Sequence, residues 1–181
     1  VLNCWCADTA SAQACSVFES AKHPNAQVFC KVEQEQPVKV DDYIPAALQK
    51  TYWYGSNYKY LNGLTQQLLG LQGCWNMAAE HSITTNTQYK YFLRLRPDNA
   101  VFDPIPPLEV FSDTHALYIP SIKYHCCGNE DIFSVSSWEV AEQLMNRLPK
   151  LQEQSVITQL QQPVPAWGPK RTKWIAEDLV R

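Results

Sequence analysis

The residues best placed to do chemistry stand together in Arg94-Leu-Arg-Pro-Asp98. Tyr91, Leu93 and Leu95 alternate with Phe92, Arg94 and Arg96, which is the two-residue period of a strand in a sheet. Pro97 then halts the ladder, because proline has no N–H to donate. Asp98 is thereby delivered at the carboxyl end of a strand, and the pattern predicts that this strand is central. In open α/β sheets that edge is where ligands bind. Alternation sends Arg94 and Arg96 to one face. Their guanidinium groups suit a phosphate there, and equally a salt bridge to an internal carboxylate. A carboxylate beside them suits a metal-bound phosphate.

A second acidic step follows about thirty residues later, in Gly128-Asn-Glu-Asp131. A carboxylate such as Asp131 can take a proton from a nucleophile if it comes within hydrogen-bond reach. Glu130 and Asp131 would equally serve to cap a turn or a helix N-terminus.

Several elements must hold these residues in place. Leu61, Leu64, Leu68, Leu71, Trp75 and Ala78 recur at spacings of three and four, the stripe of an amphipathic helix. Gly63, Gly70 and Gly73 weaken that helix or let it approach the sheet closely. After the arginine-rich strand come a rigid Asp103-Pro-Ile-Pro-Pro107 connector and a short strand at Ala116–Ile119. An apolar-polar stretch follows at Ile132–Val135. Ser136-x-x-Glu139 reads as a capping box, with Val140, Ala141, Leu144, Met145 and Leu148 as the helical stripe behind it. Pro149 closes this helix. A short strand is expected at Gln27–Val32 and a last short helix at Trp174–Val180. The aromatics Tyr43, Tyr52, Trp53, Tyr54, Tyr58 and Tyr60 fill a core or stack on a sugar face. The order of strand, helix, strand, strand and helix predicts an α/β class with a mostly parallel central sheet.

The 181 residues suit a single domain, 1–181, with a Cys-rich segment over 1–36 and a C-terminal tail over 151–181. A net charge of -3 implies no basic face, which argues against nucleic acid as a partner. No apolar run approaches the ~20 residues that span a membrane. The chain begins with Val1, and its start does not read as a secretory apolar segment. It is therefore expected to be a processed form or a piece of a longer protein. Cys4, Cys6, Cys15, Cys30, Cys74, Cys126 and Cys127 favour an oxidising compartment with two or three disulfides. The odd thiol left over would be available to a protein partner. The spacing of Cys4 and Cys6, and of His125 with Cys126 and Cys127, lacks the pairs that structural zinc prefers.

The ordered set of helix, Arg-x-Arg-Pro-Asp strand end, acidic turn and capped helix resembles glycosyltransferase-like domains of the GT-A type. The likeness rests on Asn62-Gly-Leu-Thr-Gln-Gln67, Cys74-Trp75, Arg94–Asp98, Asp131-Ile-Phe133, Ser136–Glu139 and Trp167-Gly-Pro. It spans roughly residues 58–147. The resemblance implies a GT-A-like (Rossmann-like) domain that transfers a sugar from a nucleotide-sugar donor to an acceptor hydroxyl, with inversion. It implies Asp98 as the ligand of a divalent metal, Mn²⁺ or Mg²⁺, and Asp131 as the catalytic base. Arg94, Arg96 and Glu130 would contact substrate, and the acceptor would be a glycan or a protein. His115 and His125 are possible further metal ligands. The implied location is a secretory, Golgi-like lumen or the cell exterior. This sequence has no Asp-x-Asp, and Val1–Asp8 has no clear match to the usual nucleotide-binding start. Two other readings stand beside the enzyme: a catalytically silent subunit of an assembly, and a disulfide-stabilised carbohydrate-binding module built on the tyrosines.

Overall fold

The computed structural model describes residues 2–6, 16, 28–32, 38–50, 58–95, 105–119 and 133–160. Among these, five strands and five α-helices follow in order. They are β1 (Leu2–Cys6), β2 (Val28–Val32), α1 (Ala46–Gln49), α2 (Tyr58–Thr85), β3 (Tyr91–Leu95), β4 (Leu117–Tyr118), β5 (Phe133–Ser137), α3 (Trp138–Met145), α4 (Arg147–Lys150) and α5 (Gln154–Leu160). Short 3-10 turns lie at Val40–Asp42 and Leu108–Val110.

The long helix α2 organises the rest. Its 28 residues make a rod about 42 Å long. Leu61, Leu64, Leu68, Leu71, Trp75 and Ala78 are all buried, as the stripe requires. Thr65 is buried among them, and its hydroxyl is satisfied by donating to the Leu61 carbonyl at 2.8 Å. A methyl group added at Gly63 would meet nothing within 4 Å, so close approach to the sheet is not why that glycine is there. Asn86 ends the helix in the left-handed region, with φ 50°. The Asn86 N–H donates to the Ile83 carbonyl and the Thr87 N–H to the Ser82 carbonyl. That is the double closure of a Schellman turn, which asparagine tolerates better than most residues.

Against α2 pack Val40, Ile44 and Leu48 from the turn and α1, and Ala141, Met145, Leu148, Leu151 and Leu160 from the C-terminal helices. Gln152 ties the two groups together by donating to the Asp42 carbonyl at 2.9 Å. The break between α3 and α4 falls at Asn146, three residues before Pro149. Pro149 cannot donate to the Met145 carbonyl and its ring crowds it, so the helix yields there while Leu148 stays buried.

The sheet departs from the sequence reading. β3, β5 and β4 form a three-stranded sheet in that order, and both pairings are antiparallel. The mostly parallel central sheet of a GT-A-like, Rossmann-like fold is therefore not what the chain forms. The only parallel pairing among the described residues joins β1 to β2, in a separate two-stranded sheet beside α2. A parallel pair needs a crossover, usually helical, to carry the chain back. None of the described residues between β3 and β5 is α-helical, and α3 follows β5 instead of leading to another strand. β3 is consequently an edge strand, and β5 is central.

The N-cap also differs by one residue. β5 runs on through Ser137, and it is Ser137 whose hydroxyl accepts from the Val140 N–H at 3.4 Å. Ser136 is a strand residue, buried, and its hydroxyl has no hydrogen-bond partner among the described residues.

Trp138, the first residue of α3, locks these parts together. Its ring lies 4.4 Å from that of Trp75 on α2 and 6.3 Å from Phe92 on β3, while Trp75 and Phe92 lie 6.0 Å apart. Such pairs contribute about 0.5–1.5 kcal/mol each beyond the area they bury. Trp138→Ala is expected to lower the unfolding free energy by about 3 kcal/mol in urea titration. A loss below about 1 kcal/mol would show that the cluster does not hold helix to sheet.

Candidate functional site

The strand that carries the arginines is present. β3 covers Tyr91–Leu95, and its neighbour β5 runs the other way with Leu95 opposite Phe133, Arg94 opposite Ser134 and Leu93 opposite Val135. This register has one consequence for chemistry. The chain leaves the sheet after Leu95 and enters it before Phe133 at the same edge. Asp98 lies three residues beyond the first of these positions and Asp131 two residues before the second. Arg96, Asp98, Glu130 and Asp131 themselves fall outside the described residues, as do His125 and the Trp167-Gly-Pro element.

Arg94 is described, and it faces inward. Only 7% of its surface is exposed, and it lies on the sheet face that also carries Phe92, Ser134 and Ser136. The opposite face of β3 exposes Leu93 by 41% and Leu95 by 43%. This inverts the usual pattern of an edge strand, which turns apolar residues inward. Arg94 is therefore part of the fabric under the sheet and not a side chain standing in open solvent.

His115 lies away from the Leu95–Phe133 edge. It stands two residues before β4, and β4 pairs Leu117 with Ser136, so His115 lies toward the carboxyl end of β5. It is exposed there, and its backbone N–H donates to the Asp113 carboxylate at 2.8 Å. Among the described residues, no group of three or more His, Cys, Asp and Glu side chains is assembled to hold a metal. Cys74 packs against the core from α2. Tyr43 also packs against the core, and Tyr60 is exposed.

The other end of the sheet holds a feature that the sequence reading missed. A cavity of about 400 Å³ lies where Tyr91 pairs with Ser137. Gln88, Tyr89 and Lys90 line it from one side, Thr114 and His115 from a second, and Ser137, Trp138 and Glu139 from a third. The Tyr89 ring stacks on Trp138 at 5.5 Å and 27°, and its hydroxyl is hydrogen-bonded to Nδ1 of His81. The signal in the sequence was a large aromatic just before one strand and another just after its partner. Only the antiparallel pairing brings the two together.

Burial pushes the Tyr89 phenol above its ordinary value of 10.0. The folded chain then holds this proton more tightly than the unfolded chain does. The resulting stability is complete below about pH 10 and is lost as pH rises through the raised value. Tyr89→Phe is expected to flatten the alkaline decline in stability, measured by urea titration between about pH 9 and pH 11. An unchanged decline would show that partial burial does not perturb this phenol.

Comparisons of the chain with protein-family models, with curated proteins and with solved structures gave no match.

Proposed function

We propose that the chain is a glycosyltransferase that moves a sugar from a nucleotide-sugar donor to an acceptor hydroxyl, with inversion. The observation that carries this reading is the register of β3 and β5, because it starts the Asp98 and Asp131 segments from one edge of one sheet. The antiparallel register makes both segments leave from the Leu95–Phe133 edge, and the reading requires the two carboxylates to meet beyond it.

The donor set suits a divalent cation. The Asp98 carboxylate supplies hard oxygen ligands of the kind that Mn²⁺ and Mg²⁺ prefer, and these ions need few ligands from protein when a diphosphate provides the rest. When bound, such an ion neutralises charge on the departing diphosphate as a Lewis acid. Arg96 adds a fixed positive charge for the same group. Asp131 accepts the proton of the acceptor hydroxyl as its oxygen attacks the anomeric carbon from the face opposite the leaving phosphate. Glu130 orients the acceptor beside it. Arg94, buried beneath, supports the strand from which Asp98 extends.

The reading places the protein in an oxidising secretory lumen. The β1–β2 register sets Cys4 opposite Cys30. No described helix is long and apolar enough to cross a membrane.

Burial of Arg94 favours a second reading, a catalytically silent subunit in which the strand end is purely structural. A thermal-shift screen of nucleotide sugars, with and without Mn²⁺, separates the two. A donor at 100 times its dissociation constant should stabilise the fold by about 2.7 kcal/mol. The transferase predicts a metal-dependent shift that Asp98→Asn abolishes, and donor binding without turnover in Asp131→Asn. No shift with any donor in the folded chain would leave the silent subunit.

A further inference from the structure

The cavity at the far edge of the sheet is not used by the proposed reaction. Five-residue strands separate it from the Leu95–Phe133 edge by about 13 Å. At about 400 Å³ it is within the range of small-molecule sites, which runs from about 300 to 1,000 Å³. Its aromatic wall is fixed. Tyr89 is stacked on Trp138 and hydrogen-bonded to His81, so the ring is already ordered before any ligand arrives. Preorganisation of this kind lowers the entropic cost of binding.

The charge around that wall selects the ligand. Lys90 and Glu139 both line the cavity, and the Lys90 ammonium sits over the Tyr91 ring at 5.1 Å. An anion would meet Glu139 and a cation would meet Lys90, so neither sign of net charge is favoured. Gln88 offers a carbonyl and an amide, Thr114 a hydroxyl and Glu139 two acceptor oxygens. All three are exposed. A ligand with several hydroxyls, each both donor and acceptor, matches that mixture, and an apolar ring face matches the tyrosine. We propose that this cleft binds a neutral saccharide. The inference does not rest on the transferase reading, since the two edges share no residue.

Saturation-transfer NMR on the full chain tests it, using glucose, galactose, mannose and N-acetylglucosamine beside their charged counterparts glucuronate and glucosamine. Transfer to the ring protons of at least one neutral sugar is expected. In the Gln88→Ala/Glu139→Ala double variant the dissociation constant should rise about tenfold or more, as loss of two hydrogen bonds implies. Both residues are exposed, so an unchanged melting temperature will show that the fold is intact. Asp98→Asn should leave this binding as it was, even where it abolishes donor binding. Absence of transfer to every neutral sugar would overturn the proposal. So would undiminished transfer in the double variant, preference for a charged sugar, or loss of binding in Asp98→Asn.

Discussion

The contact on which the structure depends is the packing of Trp138 against Trp75 and Phe92. Trp138 is at once the residue after the last strand and the first residue of the helix that Ser137 caps. Pinning its ring to the middle of the long helix fixes where β5 ends. The pairing of β5 with β3 then fixes which residues stand at each end of the sheet. Phe92 is held by the same cluster, so its strand cannot slip by one residue without exchanging its faces. That exchange would bring Leu93 and Leu95 inward and turn Arg94 out.

From that constraint the two ends of the sheet acquire separate characters. At one, β3 ends at Leu95 beside the start of β5 at Phe133. The other gathers Tyr89, Trp138 and a mixed polar rim into a cleft. An antiparallel sheet has no common carboxyl edge, so sites arise where a strand end and the neighbouring strand's start coincide. At the Leu95–Phe133 end the chain leaves toward Asp98 in sequence and returns from Asp131. The Tyr91–Ser137 end meets that condition for the two aromatics.

Much of the frame was legible in the residues. The α2 stripe was read position by position, because a helix with one buried face leaves a strong period. The arginine strand was read from its alternation, and the strand at Val28–Val32 fell inside the predicted stretch. Pairing direction was not legible. Alternation reports that a strand has two faces and says nothing about which way its neighbour runs. The strand–helix order suggested crossovers that the chain does not make between β3 and β5. The cap moved from Ser136 to Ser137 because two adjacent serines offer the same local chemistry, and only the length of β5 decides between them. The strand at Leu2–Cys6 had no sequence signal strong enough to name it. The cleft went unread because Tyr89 and Trp138 lie 49 positions apart and meet only through the pairing.

The central claim is the register that starts the Asp98 and Asp131 segments from one edge. Isotope-edited NOE spectroscopy of the full chain tests it directly. The account predicts cross-strand contacts between Leu95 and Phe133 and between Leu93 and Val135, with Tyr91 close to Ser137. A shift of that ladder by one residue, or parallel contacts joining Tyr91 to the start of β5, would contradict the account.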